Sequence, residues 1–141
     1  MSIRIFNEDI DFRLKGWKKI KKLVEKVICE EKKVPGDLVF ILTNDRFLRK
    51  LNREYLKHNY NTDVISFNLG NELIKIDGEI YISIETVKRN AINYKVSYNC
   101  ELLRVIIHGV LHLCGYEDKG VVKKREMKKR EEYWLKIYEG V

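Results

Sequence analysis

The chain has 141 residues, of which 45% are hydrophobic and 35% charged, and it contains only one proline. This composition is typical of one globular domain and excludes fibrous, low-complexity and intrinsically disordered classes. The formal net charge of +7 favours a polyanionic partner such as nucleic acid, although a lysine-rich solvated surface is an equal alternative.

Membrane and secretory segments are not expected in this chain. No apolar run approaches the roughly 20 residues of a membrane span, and the first twelve residues lack the apolar centre of a secretory signal. The three cysteines are odd in number and widely spaced, so no disulfide framework is expected. We therefore expect a cytoplasmic protein that makes no membrane contact.

The first half of the chain alternates between strand and helix patterns. Short apolar runs indicate strands, and apolar residues spaced three and four apart indicate helices. In order, the predicted elements are a strand at 3–6, a helix from Leu14 to Cys29, a turn at Pro35-Gly36, a strand at 38–43 and a helix over 46–57 capped by Asn44 or Asp45.

The second half continues the mixed order. Its predicted elements are a loop at 58–62, a strand at 63–67, a hairpin of 73–76 and 79–84 about Asp77-Gly78, a helix at 85–95, a helix from Ser97 or Asn99 to Leu113 that stops at Gly115, and a helix at 121–138. We expect an α+β fold in which residues 1–141 form a single domain. A small mixed sheet of about four strands would pack against the helices.

The stretch "HGVLHLCGYED" at 108–118 carries the side chains best suited to chemistry. His108 and His112 are four residues apart in a predicted helix, so both imidazoles project from one face and can hold one ion. Gly115 lets the chain reverse, which returns Asp118 toward the two rings. Three protein ligands with an open fourth position are typical of a catalytic metal site.

This spacing is similar to the metzincin signature His-Glu-x-x-His-x-x-Gly-x-x-His, with Asp118 at the third ligand position. The glutamate that acts as general base in those proteases is replaced here by Gly109. Glycine cannot accept a proton, so a metallopeptidase is the weakest of the functional alternatives.

Alternatives to this ligand set remain open at the level of sequence. The two histidines of "LLRVIIHGVLHL" could be core residues, although two buried rings need two dedicated hydrogen-bond partners. Cys114 could be a ligand, but it follows His112 by only two residues and is expected to point elsewhere. We expect one zinc ion per chain, and the carboxylate of Asp118 also makes Mn2+ and Fe2+ candidates.

At these residues the chain resembles the YbeY family of endoribonucleases, whose hallmark is His-Gly-x-Leu-His-Leu-x-Gly-Tyr-Asp-His. A second family element, Thr-Asp-Val-Leu-Ser-Phe, corresponds to residues 62–67, and further elements correspond to 51–55 and 78–83. The elements occur in the family's order and cover roughly residues 38–135. The resemblance implies a zincin-like fold, one zinc ion and a cytoplasmic role in ribosomal RNA maturation.

Two positions depart from the family pattern. The third histidine of the family is Asp118 here, and the ligand role carries over by position. The arginine that usually follows the tyrosine of the second helix is Leu56 here, and Lys57 and Arg53 are weak candidates for the missing catalytic cation. No general base is evident. The second family element implies substrate-binding roles for its polar side chains, Thr62, Asp63 and Ser66.

The segment after the metal motif is strongly basic. It holds eight bases against three acids, namely Lys119, Lys123, Lys124, Arg125, Lys128, Lys129, Arg130 and Lys136 against Glu126, Glu131 and Glu132. Beside a hydrolytic metal, such a segment suits a phosphodiester backbone, and the alternative is an ordinary solvated helix face. Met127, Trp134 and Ile137 are expected in the core, whereas Tyr60 and Tyr116 are candidates for stacking on unpaired bases.

Three functional hypotheses follow from these observations. The main hypothesis is a metal-dependent endoribonuclease that cuts single-stranded RNA during ribosomal RNA maturation, with a ribosomal subunit or ribosomal protein as a further partner. The second is a non-catalytic ribosome-assembly factor whose metal is structural. The third is a metallopeptidase with a displaced base.

Overall fold

The computed structural model describes residues 2–57, 62–71 and 73–139, so the predicted loop at 58–62 lies largely outside it. The described residues form four strands, five α-helices and one π-helical turn. In chain order these are β1 (Ser2–Asn7), α1 (Trp17–Glu30), β2 (Val34–Thr43), α2 (Asp45–Leu51), the π-helical turn (Asn52–Leu56), β3 (Val64–Asn68), β4 (Lys75–Ser83), α3 (Ile84–Tyr94), α4 (Tyr98–Leu113) and α5 (Val121–Glu139). Within these ranges, no helix combines the length and apolar character that crossing a bilayer requires.

The four strands form one mixed sheet in the order β1-β2-β4-β3. β1, β2 and β4 run parallel, and β3 pairs antiparallel with β4 at one edge. Parallel neighbours need a crossover, which α1 provides between β1 and β2. The prediction of an α+β fold with about four strands in a small mixed sheet is confirmed.

Two predicted turns are wrong, because both dipeptides lie inside strands. Pro35 and Gly36 belong to β2, at the place where its register against β4 shifts. Asp77 and Gly78 belong to β4, and the Asp77 carboxylate accepts a hydrogen bond from the Asp37 backbone N–H at 2.7 Å. Asp77 thus satisfies a donor at the irregularity in β2, and β4 continues through the predicted hairpin.

Capping side chains decide where two of the helices begin. Asn44 Oδ1 accepts from the Phe47 backbone N–H at 2.9 Å, and Ser97 Oγ accepts from the Cys100 N–H at 3.1 Å. Each is one of the two alternatives that the sequence left open. The first helix begins at Trp17, three residues later than predicted, and the predicted helix over 46–57 ends as the π-helical turn.

The core lies on both sides of α4, which packs against the sheet, α1, α3 and α5. A Cβ atom on Gly109 would lie only 2.8 Å from Ile80 Cγ2, so this helix approaches β4 closely. From α5, Met127 and Trp134 are buried and Ile137 is partly buried, which confirms their predicted place in the core. This packing holds α4 between the sheet and three helices, and the side chains on its free face are positioned by that packing.

Candidate metal centre

The free face of α4 and the turn after it bring three candidate ligands together. His108 and His112 lie one helical turn apart near the end of α4. Gly115 has φ +107°, a conformation that favours glycine, and the chain reverses there. The backbone N–H groups of Gly115 and Tyr116 donate back into the last turn of the helix at 3.0 Å each. This closure returns the chain so that Asp118 faces both imidazoles.

The three donor atoms are spaced as a small metal ion requires. Nε2 of His108 and Nε2 of His112 are 2.9 Å apart, and Asp118 Oδ2 lies 3.5 and 3.6 Å from them, respectively. Ligands about 2.0–2.1 Å from a tetrahedral ion lie roughly 3.3 Å from each other. The two nitrogens are somewhat closer than this and the carboxylate oxygen somewhat farther, and the three side chains form a group that could hold a metal ion.

The other nitrogen of each imidazole is already engaged. His112 Nδ1 lies 3.0 Å from the Tyr116 carbonyl oxygen, and His108 Nδ1 lies 2.5 Å from Glu131 Oε2. Both oxygens accept hydrogen bonds, so the proton of each neutral ring belongs on Nδ1. The two Nε2 atoms then present lone pairs to each other, an arrangement that a cation between them stabilises. The donor chemistry of this site therefore fits a divalent metal.

Glu131 is a site residue that the sequence analysis missed. It was counted only as one acid of the basic segment, yet it is buried and touches His108 directly. A signal was present, because Glu131 shares the buried face of α5 with Met127 and Trp134 at helical spacing. An acid on the core face of a helix needs a buried partner, which sequence alone does not identify.

Arg104 anchors Glu131 from the opposite side. Its guanidinium donates to Glu131 at 3.2 Å, to Glu101 at 2.8 Å and to Asp63 at 3.1 Å. Burial alone would lower the pKa of Arg104, but the hydrogen bond and charge of Glu101, followed by the charges of Glu131 and Asp63, raise it above its ordinary value. The guanidinium is a permanent cation that holds the carboxylate behind His108.

The formal charges around the ligands call for a cation. Four carboxylates, on Asp63, Glu101, Glu131 and Asp118, share this region with one guanidinium, on Arg104. Four negative charges and one positive charge leave three negative charges when both histidines are neutral. A divalent ion would reduce this excess to one, which is a second reason that the residues fit a metal.

Protonation states favour the same ligand set. Burial lowers the pKa of His112, and the neighbouring His108 lowers it further, against the opposing effect of Asp118. A neutral imidazole is the form that binds metals. Cys114 is buried, and burial, followed by the negative charge of Glu31, raises the pKa of its thiol to about 12. The thiol therefore stays protonated at neutral pH, and it is not part of the ligand group.

A cleft of about 480 Å³ opens beside His112 along β3, and we call it the sheet-side cleft. Thr62 and Ser66, two of the three predicted substrate-binding residues, line it. Their hydroxyls donate to backbone oxygens at 3.3 and 3.1 Å, so their lone pairs remain available to a ligand. Asp63 is directed to Arg104 instead, where it supports the network behind the ligands.

The predicted catalytic cations do not line this cleft. Leu56, at the position of the family arginine, does line it. Arg53 and Lys57 lie on and just after the π-helical turn, where Lys57 adopts φ +56°, and both are exposed. Their catalytic role stays a prediction. Tyr60, a predicted stacking residue, lies outside the described residues.

Several side chains of the basic segment have structural partners. Arg130 pairs with Glu31 at 2.7 Å, and Lys123 pairs with Glu117 at 2.5 Å. The Tyr116 hydroxyl also donates to Glu31 at 2.9 Å, and its ring packs against the core. These contacts tie α5 and the metal-site turn to the end of α1, so the basic segment is partly structural.

Comparison with known proteins agrees with the motif. The sequence model of the family described as Endoribonuclease YbeY matches residues 4–139. Endoribonuclease YbeY of Flavobacterium psychrophilum is 44% identical over 135 residues, with 94% of each chain covered. The protein of the same name from Amoebophilus asiaticus is 43% identical and covers 95% of this chain and 91% of its own.

A solved structure shows the same fold. The solution structure of TM1509 from Thermotoga maritima superposes with a TM-score of 0.65 at 32% sequence identity. The match covers 98% of this chain and 89% of the other. Sequence identity, coverage and fold agree, and the chain belongs to the Endoribonuclease YbeY family.

Proposed function

We propose that residues 1–141 form one metal-dependent endoribonuclease domain that cuts single-stranded RNA during ribosomal RNA maturation in the cytoplasm. The observation that carries this proposal is the pair of facing Nε2 atoms of His108 and His112, closed by Asp118. The name Endoribonuclease YbeY, which both relatives described above carry, supports the reaction class. Further support comes from the net charge of +7, which suits an RNA partner.

The residues of this chain divide the work of the site. His108, His112 and Asp118 would hold the ion, while Glu131 and the Tyr116 carbonyl oxygen orient the two rings. A bound ion supplies Lewis acidity toward a phosphoryl oxygen and toward the attacking water or ribose hydroxyl. Two imidazoles and one carboxylate suit zinc, and they also accept Mn2+ or Fe2+.

An alternative function is favoured by one observation in the sheet-side cleft. Leu56 stands where the family has arginine, and none of the described residues lining this cleft is lysine or arginine. A phosphoryl group there would lack a stabilising side-chain cation. This favours a ribosome-assembly factor with a structural metal as the second candidate. Gly109 continues to argue against a metallopeptidase, because its position lacks the general base.

Cleavage of end-labelled single-stranded ribosomal RNA tests the proposal. Wild type, His112→Ala and Leu56→Arg would be compared as purified, after chelation, and after addition of zinc, manganese or iron(II). We expect cleavage that requires metal, is lost in His112→Ala and increases in Leu56→Arg. The same RNA annealed to its complement tests strand specificity.

Two other outcomes would change the conclusion. If RNA binds but is cut by no metal-loaded form, the endoribonuclease is wrong and the assembly factor is the better proposal. If His112→Ala cuts as well as wild type, the activity does not depend on this site. A peptide library gives the corresponding test for the metallopeptidase.

A further inference from the structure

A second cleft, of about 800 Å³, lies on the other side of the candidate ligands, between α4 and α5. We call it the helix-side cleft. His108 and Asp118 form its inner end, whereas His112 belongs to the sheet-side cleft. The ion would therefore sit where the two clefts meet. A strand of RNA that presents one phosphate to the ion can place its neighbouring nucleotides in both clefts.

The two clefts differ in charge. Lys124 and Lys128 lie one turn apart on α5 and line the helix-side cleft, and both are exposed. Neither forms an ion pair with any residue that the structure describes. Arg104 also lines this cleft, but three carboxylates already occupy its donors. Lys124 and Lys128 are thus the cations of this cleft, as far as it is described, that remain available to a phosphate.

The helix-side cleft also has an apolar end. Tyr94, Val96 and Leu135 line it, and Tyr94 is 60% exposed. An exposed aromatic ring beside apolar side chains suits stacking of an unpaired base. Cations on one rim and an aromatic ring at one end match the two parts of a nucleotide, its phosphate and its base.

Charge gives the physical reason for such a subsite. The ligands and their carboxylate network keep an excess of one negative charge after a divalent ion binds, by the count given above. A phosphodiester that approaches this region is repelled unless other cations compensate. Leu56 cannot provide that compensation on the sheet side.

We propose that the helix-side cleft is an RNA subsite, in which Lys124 and Lys128 bind a backbone phosphate beside the scissile one and Tyr94 stacks on its base. This inference rests on the proposed function, since it places the subsite relative to the cut. Four acids and three bases line the cleft, so its lining carries one negative formal charge without an ion and one positive formal charge with a divalent ion. The exposed acid Glu132 is one of these four acids and opposes the two lysines.

The test compares two double variants of equal charge. Lys124→Gln/Lys128→Gln removes both cleft cations, and Lys129→Gln/Lys136→Gln removes two exposed lysines of the same helix that lie outside the cleft. Binding of a fluorescein-labelled single-stranded RNA to zinc-loaded protein would be measured from low to high salt. Each neutralised phosphate of a single strand contributes about 0.7 to the slope of log K against log salt, so the cleft variant, which loses its contact to one phosphate, should lose about 0.7.

Further variants separate this effect from misfolding. We expect roughly tenfold weaker binding at low salt for the cleft variant and less than threefold for the control. Lys124→Arg/Lys128→Arg should keep the wild-type slope, because the charge is retained. Glu132→Gln should bind RNA more tightly, because it removes the opposing charge. Equal losses in the two double variants, or no loss in either, would overturn the proposal.

Cleavage distinguishes this inference from the proposed function. A small diester, bis(4-nitrophenyl) phosphate, carries one negative charge and has no flanking nucleotides, so the cleft variant should lose less of its hydrolysis rate on this diester than on RNA. If the cleft variant cuts RNA at the wild-type rate and its salt slope is unchanged, the proposed subsite is wrong and the endoribonuclease proposal stands. If the salt slope falls in the cleft variant but the wild-type protein cuts no RNA, the endoribonuclease proposal is wrong and the cleft is an RNA-binding site only.

Discussion

The two sides of the metal centre hold their imidazoles by different means. On the sheet side, His112 is oriented by the backbone carbonyl of Tyr116, four residues along the chain. On the helix side, His108 is oriented by Glu131, which comes from another helix and is itself held by Arg104. A backbone contact persists whatever the side chain, whereas a chain of charged side chains can be broken at any link. The helix side is therefore the one that substitutions should affect most.

The clefts show the same contrast. The sheet-side cleft is lined by hydroxyls, amides and Leu56, and the helix-side cleft carries Lys124 and Lys128. In this protein, one side is suited to binding through hydrogen bonds and the other through charge. The following changes separate the two contributions, from the largest expected effect to the smallest.

Removing the metal should destabilise the fold through both histidines, His108 and His112, at once. If an ion relieves the repulsion between the Nε2 atoms of His108 and His112, it stabilises the folded state alone. At free metal one thousand times its Kd, chelation should lower the free energy of unfolding by about 4 kcal/mol. Thermal unfolding with and without chelator measures this. His112→Ala is the control, and chelation should lower its free energy of unfolding by less than about 1 kcal/mol. If chelation destabilises this variant as much as the wild type, the ion is bound elsewhere.

Glu131→Gln should lower metal affinity by loosening His108 alone, while the orientation of His112 is unaffected. The amide can accept from either His108 or Arg104, but it cannot satisfy both as the carboxylate does. Loss of such a partner typically costs about 10- to 100-fold in metal affinity. Competition with a chromophoric chelator measures the affinity, and Glu126→Gln, an exposed acid of the same helix, is the matched control. An unchanged affinity would show that His108 is held without Glu131.

Gly109→Ala tests how closely α4 must approach the sheet. The new Cβ would lie 2.8 Å from Ile80 Cγ2, and Ile80 is fully buried and cannot move away. Overpacking costs about 1–3 kcal/mol, while alanine gains about 1 kcal/mol in helix propensity. The difference leaves a net loss of up to about 2 kcal/mol, which urea denaturation measures. Asn99→Ala, at an exposed position of α4, should change stability by less than about 0.5 kcal/mol, and a similar result for both would refute the close contact.

Ser66→Ala should have the smallest effect on stability. It removes the hydrogen bond to the Gly109 carbonyl oxygen at 3.1 Å, which is worth about 0.5–1 kcal/mol because that oxygen also accepts within the helix. If the sheet-side cleft binds RNA through hydroxyls, KM for RNA should rise while kcat stays constant. An unchanged KM would remove Ser66 from the substrate-binding residues.

Several features were predictable because they depend on neighbours in sequence. The helical spacing of His108 and His112, the reversal at Gly115 and the return of Asp118 are local, and the structure brings the three side chains together. The strands and helices were placed correctly wherever a continuous apolar pattern or a capping residue marked them, as at Ser97. These signals need no knowledge of the rest of the fold.

The incorrect predictions involve residues whose partners are distant in sequence. Asp77-Gly78 has the composition of a hairpin turn, but a Cβ on Gly78 would lie 2.6 Å from the Phe67 carbonyl oxygen of the adjacent strand. The glycine is therefore required by close strand packing, and Asp77 by a donor on β2. A local pattern cannot distinguish these roles from a turn.

The sequence by itself determined the fold class, the three ligand candidates and the family, because each of these follows from periodicity, spacing or a local motif. Only the tertiary structure decided that Glu131 stands behind His108, that Asp63 serves Arg104, and that two clefts of different charge meet at the ligands. The physical reason is that a buried charged side chain is stable only when an oppositely charged or hydrogen-bonding partner lies beside it. That partner can come from any element that packing brings near, and packing is not visible along the chain.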